Sequence, residues 1–294
     1  MYSFVNLKKL ENQIKTESKL QINGLGLGEK GFITSTIGRK LLYVAPDFFA
    51  ATNMKRQLKA LGKKVALISD KLPLMFGINE NKNPIFREYI SALNGIVNGS
   101  IDVIIAMPDV LMQKLPSPDI IKSSSLNLAI GKEYSLDEVV ASLINLGYNR
   151  ADAIESEGDF AIRGDILDIF VYGSVLPFRI NFFGDEIESI YSLSLGDYRK
   201  VKDEQEISLV PNTLLFLNEN IVNDACMRIT KSLASTKING DSLISLTETI
   251  NFQIDNVKNG RNICTSFLAP FVPYFCGSIL DYFTDGQIIF DEPR

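Results

Sequence analysis

The stretch LLYVAPDFFAATNMKRQLKALGKKVALIS, residues 41–69, decides the fold class of the first third of the chain. Its two short apolar runs, LLYVAP and VALIS, predict β-strands, and Gly62 predicts the end of the helix between them. That helix places these apolar residues near one face: Phe48, Ala51, Leu58 and Leu61. Strand, helix and strand in succession predict a parallel sheet covered by helices.

The same alternation continues downstream. Apolar residues recur there at steps of three and four, which predicts a second amphipathic helix: Phe86, Tyr89, Ile90, Leu93, Ile96 and Val97. Gly99 then precedes another apolar run, DVIIAM (102–107). The resulting βαβαβ pattern places ligand-binding loops at the carboxyl ends of the strands.

The pattern changes near residue 121, where IKSSSLN interrupts the alternation. Ser135 and Glu138 have the spacing of a capping box, and an apolar stripe runs from there to Gly147, which predicts a single helix. From Asp152 the apolar period becomes two, which predicts antiparallel strands joined by short turns. The predicted strands are DFAIRG, ILDIFVYG, LPFRINFFGD and EIESIYSLSL, between residues 159 and 195.

The α/β pattern returns beyond Pro211. LLFL (214–217) restarts it, helices are predicted near 219–235 and 241–258, and QIIFDEPR (287–294) predicts a terminal strand. The chain is therefore predicted to have three parts: residues 1–121, the first part of an α/β platform; residues 122–212, an inserted α+β domain; and residues 213–294, the second part of the platform.

Composition excludes several classes of function. The chain has 294 residues, of which 46% are hydrophobic and 22% charged, as in an ordinary soluble globular protein. Without histidine, imidazole-based acid/base, triad and zinc chemistries are excluded. Cys226, Cys264 and Cys276 show no CxxC spacing, so buried thiols are favoured over bridges or metal ligands.

The ends and apolar runs indicate a cytoplasmic protein. The first fifteen residues, MYSFVNLKKLENQIK, lack the order of a signal peptide, and the longest apolar run, SFLAPFVPYFCGSIL (266–280), is too short and too rich in proline to span a bilayer. We therefore expect no membrane partner.

Charge is uneven along the chain. Residues 1–120 carry 16 Lys and Arg against 10 Asp and Glu, whereas residues 151–212 carry 5 against 13. Nucleic-acid binding needs clustered cations, so the acidic middle segment is a poor candidate for it and a better one for binding a protein. The basic first third leaves a DNA-binding module open as a further hypothesis.

The stretch GLGLGEKGF (24–32) resembles a phosphate-binding P-loop with two departures. Counting from Gly24, Lys30 is in register, but Glu29 replaces the preceding glycine and Gly31 replaces the hydroxyl residue that holds Mg²⁺. Gly28 belongs to the same run, and Asp291 with Glu292 resembles the acidic pair that follows a strand beneath a P-loop. A nucleotide site, a degenerate one and a flexible glycine turn all remain open, and the departures favour the degenerate site.

The strand FRINFF (178–183) predicts a two-sided pattern. Because side chains alternate along a strand, Phe178, Ile180 and Phe182 would face a core. The opposite face would then present Arg179 and Phe183, with Arg163 of the strand DFAIRG. Either a partner covers this face, or the ring lies under a loop and the arginines pair with nearby acids such as Asp165, Asp185 or Glu186; geometry alone leaves both readings open.

Other charged groups are weaker candidates for a site. Asp165 and Asp168 would lie on opposite faces of a strand, which disfavours paired-carboxylate catalysis. An acidic turn at 185–188 indicates a solvated hairpin. A solvated face is also expected for the lysines of the predicted first helix: Lys8, Lys9, Lys15 and Lys19.

Residues 146–190, LGYNRADAIESEGDFAIRGDILDIFVYGSVLPFRINFFGDEIESI, resemble the inserted domain shared by UvrB and the transcription-repair coupling factor, Mfd. In that family a helix ending in Gly-Tyr leads to arginine-bearing strands and a turn like FFGDEI. Residues 40–62 are similar to the strand and helix after the family's P-loop. The degenerate P-loop, and a segment between Lys71 and Asn83 too short for UvrB's tyrosine-rich hairpin, favour the coupling factor.

The resemblance implies a fold and a function. The fold would be a degenerate P-loop NTPase-like parallel-sheet platform, with parts like domains 1a and 1b, and an inserted α+β domain like domain 2. The function would be that of an adaptor that recruits UvrA to RNA polymerase stalled at DNA damage in nucleotide excision repair. Arg163, Arg179 and Phe183 match the positions that the family uses to bind UvrA.

The resemblance further implies no catalytic residue, metal or cofactor in this module. ATP and Mg²⁺ would belong to a DNA translocase motor of the parent chain, and RNA polymerase and duplex DNA would be bound beyond residue 294. The alternative is an ATP-binding, DNA-binding helicase module like UvrB that uses Lys30 and Asp291.

Overall fold

Helices and short strands make up much of the chain in the computed structural model, which describes residues 12–13, 19–37, 40–74, 83–238, 240–258 and 265–292. The helices are α1 (Leu27–Thr36), α2 (Phe48–Ala60), α3 (Pro84–Val97), α4 (Pro118–Ser123), α5 (Leu136–Asn145), α6 (Glu219–Ala234) and α7 (Asp241–Lys258). Short 3₁₀ helices lie at Pro108–Met112, Ser266–Phe271 and Ile279–Phe283. Of the predicted first helix, Asn12 and Gln13 are helical, and Lys8, Lys9 and Lys15 lie outside the described residues; Lys19 is exposed.

Within the described residues the strands form three sheets. They are β1 (Leu41–Val44), β2 (Val65–Ile68), β3 (Val103–Ala106), β4 (Leu126–Ala129), β5 (Asn149–Arg150), β6 (Asp159–Arg163), β7 (Ile166–Ile169), β8 (Phe178–Phe183), β9 (Glu186–Leu193), β10 (Lys200–Glu204), β11 (Glu206–Leu209) and β12 (Gln287–Phe290). The sheet orders are β12-β1-β3-β2, β10-β9-β8-β7-β6-β5 and β11-β4. The chain is thus mixed α/β, with one fully parallel sheet.

The parallel sheet is built from both ends of the chain. β1 pairs in parallel with β3 on one side and with β12 on the other, where Leu41 lies opposite Gln287. The first and last thirds of the chain therefore share one sheet, as the sequence pattern predicts. The carboxyl ends of β1 and β12 meet at the same edge, next to the start of α1.

Alternate side chains of β1 enter two different cores. Leu42 and Val44 pack with α3 and the C-terminal helices, whereas Leu41 and Tyr43 pack with α2. Burial on both faces explains why these strands read as continuous apolar runs. In α2 the buried residues are Ala51, Met54 and Leu58. Phe48 and Leu61, which the sequence places near the same face, lie at the ends of the helix and are exposed.

The inserted region packs α5 against the predicted antiparallel sheet. Strands β6 to β9 follow the predicted order and pair antiparallel with their sequence neighbours. Two further strands, β4 and β11, pair with each other from opposite ends of this region, so a strand forms inside the stretch that reads as a boundary. The predicted capping box at Ser135 is wrong: Ser135 is the N-cap, but its side chain makes no capping hydrogen bond.

Two helices and irregular segments make up most of the C-terminal part. The predicted helices correspond to α6 and α7. LLFL does not form a strand; Leu214 and Leu215 instead enter the core as irregular backbone. Cys226 of α6 is buried, which raises the pKa of its thiol. Cys276 is exposed, contrary to prediction, and Cys264 lies outside the described residues.

Candidate functional site

The six-stranded sheet has one apolar face and one largely polar face. The apolar face packs on α5 and contains these residues among others: Phe160, Leu167, Ile169, Ile180, Phe182, Ile187 and Ile190. The opposite face carries all three residues predicted to bind a partner: Arg163, Arg179 and Phe183. Their placement follows from strand alternation, as the sequence predicts.

Phe183 ends strand β8 with its ring in solvent. Its side chain is 79% exposed, whereas the neighbouring Phe182 is 5% exposed and belongs to the core. The chain turns immediately afterwards at Gly184, whose φ of 61° lies in the left-handed region that favours glycine. The alternative interpretation, in which a loop or the platform covers the ring, is therefore wrong.

A β-bulge in β9 keeps the apolar residues of this strand on the core face of the sheet. Between the pairs Asn181–Ser189 and Phe182–Ile187, the register shifts by one residue on β9, and Glu188 is the extra residue. Ile187 and Ile190 can therefore both enter the core although they are three apart. A strictly alternating strand would have turned one of them outward.

Arg179 is already paired within the chain. Its Nε donates to Asp168 Oδ1 at 2.6 Å, and its Nη2 donates to Asp168 Oδ2 at 2.8 Å. The two residues lie opposite each other on β8 and β7. These hydrogen bonds raise the pKa of Arg179, with smaller contributions from the charge of Asp168 and the Tyr191 hydroxyl. The partner is thus Asp168, and not Asp165, Asp185 or Glu186.

Arg163 is exposed at the end of β6. Its Nη2 donates to the backbone oxygen of Asp152 at 3.1 Å, so the guanidinium keeps further donors for other contacts. Arg163 and Arg179 lie on strands separated by β7 and are offset by two residues in register, which puts their backbones about 12 Å apart. Phe183 lies four residues along β8 from Arg179, about 13 Å.

Two loops cover the other end of the same face. Ile154 packs on Ala161 and Leu193 in a small apolar cluster, and the Tyr198 hydroxyl donates to the backbone oxygen of Ile154 at 2.5 Å. Arg179 lies next to this covered part, and its side chain is 23% exposed. The open part of the face therefore extends from Arg179 towards Arg163 and Phe183.

The acids near Phe183 are solvated. Asp165, Asp185, Glu186 and Glu188 are all exposed, and Glu186 faces Glu133 in an isolated antiparallel bridge. The predicted solvated hairpin is confirmed. Asp165 lies in a turn and Asp168 is buried in its ion pair, so these two do not form a catalytic carboxylate pair.

The stretch that resembles a P-loop is mostly helical. Helix α1 begins at Leu27, so Gly28, Glu29, Lys30 and Gly31 are helical rather than in a loop, and only Gly24, with a φ of 79°, makes a turn. The Glu29 carboxylate accepts the Gly26 backbone N–H at 2.7 Å, which caps the helix. The glycine turn is therefore short, and the helix follows it directly.

Lys30 is held by the acids that follow β12. Its Nζ lies 2.7 Å from Asp291 Oδ1 and 2.8 Å from Glu292 Oε1. These hydrogen bonds raise the pKa of Lys30. Asp291 also lies against Tyr43, whose pKa is raised mainly by burial and further by this carboxylate. The fold thus brings together Lys30, Asp291 and Glu292, as the sequence predicts, in an internal ion-pair network.

Gly31 lacks space for a side chain. A Cβ at this position would lie 2.2 Å from Gln57 Oε1 of α2. The hydroxyl residue that a P-loop has here could therefore be accommodated only if Gln57 moved. Across the described residues no cluster of three or more acidic or cysteine side chains could hold a metal ion.

Direct contacts fix the inserted region on the platform. Asn94 of α3 donates to the Pro211 backbone oxygen at 2.6 Å in a buried position, and the Tyr172 hydroxyl donates to the Arg87 oxygen at 3.0 Å. Gly147, with a φ of 84°, packs closely on Thr213. These contacts give the polar face a fixed base.

From the sequence, Asp168 is considered only as a catalytic carboxylate and Tyr191 is not named, so the contact of both residues with Arg179 is missed. Both lie in one row with Arg179, through the register of β7, β8 and β9. The Lys200 ammonium also lies 5.1 Å from the centre of the Tyr191 ring. Cross-strand register was the missing information, because it decides which acid faces Arg179.

Comparison with known proteins agrees with this geometry. The family model described as the UvrB interaction domain matches residues 126–215, which include β6 to β9 and the whole polar face. This match covers 90 of the 294 residues. The resemblance stated from residues 146–190 is therefore confirmed, and Arg163, Arg179 and Phe183 all lie within the matched residues.

Relatives extend the similarity beyond the UvrB interaction domain. The transcription-repair-coupling factor of Bacillus subtilis (strain 168) is 26% identical over 261 residues, which is 84% of this chain and 22% of that protein. The transcription-repair-coupling factor of Haemophilus influenzae is 30% identical over 57% of this chain and 15% of that protein. The UvrABC system protein B of Lactobacillus johnsonii is 33% identical over 44% of this chain and 19% of that protein. This chain spans a quarter or less of the length of these curated relatives.

Proposed function

We propose that this chain is a UvrB-like adaptor module of a transcription-repair coupling factor, which recruits UvrA to RNA polymerase stalled at DNA damage in transcription-coupled nucleotide excision repair. The observation that carries the proposal is the 79% exposed ring of Phe183, on the same face as Arg163 and Arg179, inside a UvrB interaction domain. The partner surface would contain these three residues.

The chemistry of this face suits a protein partner. An exposed aromatic ring is costly in water, and aromatic and arginine side chains are enriched among residues that dominate binding energy. Phe183 would enter an apolar pocket of UvrA, while Arg163 and Arg179 would donate to carboxylate or carbonyl oxygens. The acidic character of residues 151–212, with 5 cations against 13 acids, argues against nucleic acid as the partner of this face.

For the platform we propose a supporting role without nucleotide. Lys30 is neutralised by Asp291 and Glu292, so a phosphate would have to displace two carboxylates, and Gly31 supplies no hydroxyl for Mg²⁺. Under this proposal residues 1–121 and 213–294 form a degenerate P-loop platform, residues 122–212 form the UvrA-binding domain, and the module needs no cofactor and catalyses no reaction.

The other activities of the proposed system are assigned outside this module. We propose that ATP, Mg²⁺, duplex DNA and RNA polymerase are bound by regions that the longer relatives have in addition to the matched part. We also propose that this chain is located in the cytoplasm. Among the described residues, the helices are too short or too polar to cross a bilayer.

Titration of labelled chain with purified UvrA tests the function. Phe183→Ala is expected to weaken binding by about 2 kcal/mol or more, roughly thirtyfold, and Arg179→Glu is expected to weaken it as well. Val175→Ala is the matched control, because Val175 is 85% exposed in the loop before β8, at the opposite end of that strand. Full affinity in a folded Phe183→Ala variant would reject the proposed surface.

A helicase-like, ATP-binding module is the second candidate. It is favoured by one observation, the convergence of Lys30 and Asp291 at the carboxyl edge of the parallel sheet. Calorimetry with millimolar ATP and Mg²⁺ separates the two candidates. Saturable binding that is lost in Lys30→Ala would support the helicase-like module, and absence of heat and of a thermal shift would support the adaptor.

A further inference from the structure

Asp168 holds the guanidinium of Arg179 along its side. The pair uses the Nε–H and one N–H of Nη2, at 2.6 and 2.8 Å from the two carboxylate oxygens. A guanidinium has five N–H donors, so three lie outside this pair: two on Nη1 and one on Nη2. These donors lie at the end of the group, away from Asp168, and the Tyr191 hydroxyl also interacts with the guanidinium.

Burial makes this pair rigid. The Asp168 side chain is 8% exposed, and it lies directly opposite Arg179 on the neighbouring strand. On the other side, Tyr191 lies opposite Arg179 on β9. Arg179 is therefore held between two strands, and its long side chain is ordered before any partner arrives.

An ordered arginine favours association. A flexible side chain loses about 0.5–1.5 kcal/mol of conformational freedom when a partner immobilises it. A guanidinium already fixed in its plane by a carboxylate avoids much of this loss and offers donors at a defined angle. Asp168 can thus strengthen partner binding by orienting Arg179, without contacting the partner itself.

We propose that Asp168 is a positioning residue for partner binding, which acts through the bidentate pair that orients the guanidinium of Arg179 on the open part of the polar face. This inference rests on the proposed function, since it needs UvrA to contact Arg179. Asp168 itself does not touch the partner, because Arg179 and the sheet enclose it.

A double-mutant cycle with the full 294-residue chain tests the inference. Dissociation constants for UvrA are measured for the wild type, Asp168→Asn, Arg179→Ala and the double variant. We expect Arg179→Ala to weaken binding about tenfold or more and Asp168→Asn about three- to tenfold. The double variant should bind no more weakly than Arg179→Ala alone, because Asp168 has then nothing to orient.

Asp203→Asn is the matched control for charge. Asp203 lies on the same face, opposite Tyr191 on β10, and pairs with Lys200 rather than with Arg179. This variant removes the same charge from the same sheet and should keep wild-type affinity. Thermal unfolding of each variant checks the fold, and Arg179→Lys, which keeps the charge without the bidentate pair, replaces Arg179→Ala if that variant is unfolded.

A second measurement follows the arginine directly. The Nε–H resonance of Arg179 in ¹⁵N spectra of the free chain should be sharp in the wild type and should broaden or shift in Asp168→Asn, with no change in Asp203→Asn. Loss of this signal together with weaker binding supports positioning.

Three outcomes would overturn the inference. Unchanged affinity in Asp168→Asn removes the role of Asp168, and unchanged affinity in Arg179→Ala removes its target. An equal loss from Asp168→Asn in the presence and absence of Arg179 would show that Asp168 acts by another route. Failure of the wild-type chain to bind UvrA is a different result, since it rejects the proposed function itself and this inference with it.

Discussion

Asp168 and Arg179 face each other across adjacent antiparallel strands and share two hydrogen bonds, of 2.6 and 2.8 Å. The pair fixes the boundary between the covered and the open parts of the polar face. We expect Arg179→Met to lower the free energy of unfolding by about 2 kcal/mol, because the Asp168 carboxylate would remain largely buried without its partner. Urea denaturation measures this. Arg199→Met is the control: Arg199 pairs with Asp197 in solvent and should change stability by less than about 0.5 kcal/mol.

Adjacent phenylalanines of β8 should respond in opposite ways to truncation. Phe182→Ala removes a core ring and should cost about 3–5 kcal/mol of stability. Phe183→Ala removes an exposed ring and should change the free energy of unfolding by less than about 0.5 kcal/mol. Chemical denaturation of both variants measures the difference. Equal destabilisation by the two variants would contradict the exposure of Phe183.

The Lys30 network should support stability in a pH-dependent way. Lys30→Met breaks contacts of the ammonium with Asp291 and Glu292, and we expect a loss of about 1.5–3 kcal/mol near neutral pH. Lys40→Met is the control, because Lys40 and Asp285 are 3.9 Å apart and exposed.

The direction of this pH dependence follows from the pKa of Lys30, which the folded chain raises above its ordinary value of 10.5. The stabilisation is therefore fully present below the unfolded value, and it is lost as the pH rises through the folded value. The stability difference between wild type and Lys30→Met should stay constant from about pH 8 to pH 10.5 and shrink above that. Urea titrations across this range measure it, and a difference that grows at high pH would contradict the network.

Gly147 should tolerate no side chain. Its φ of 84° is unfavourable for other residues, and a Cβ would lie 2.9 Å from the Thr213 Cβ. Gly147→Ala is expected to cost about 2 kcal/mol or more, from backbone conformation and from contact with Thr213. Gly131→Ala isolates the first contribution, because Gly131 has a φ of 73° and open space around it. Equal thermal stabilities of the two variants would show that the contact with Thr213 is unimportant.

Apolar periodicity predicted most of the platform and the inserted meander. β1 and α3 carry repeating apolar residues that leave little choice of element, and the Phe182–Phe183 alternation gave the correct faces of β8. The pairing of β1 with β12 also agrees with the α/β pattern at both ends of the chain.

Features that depend on distant pairing were not predictable from local pattern. Strand β4 forms because β11 lies beside it, although IKSSSLN reads as an interruption. The partner of Arg179 depends on the register between β7 and β8, which nearby acids in the sequence do not reveal. Gly28 and Gly31 read as loop residues, but the Glu29 cap and packing on Gln57 favour a helix there.

The parallel contact between Leu41 and Gln287 also has a consequence for how the chain folds. During synthesis on the ribosome, β1 acquires one of its two neighbours only after residues 45–286 have emerged. Pairing over such a sequence separation is slow, whereas the hairpins of β6 to β9 are local and can form first. A nascent chain that stops before β12 would leave β1 with a bare edge, which is prone to aggregation.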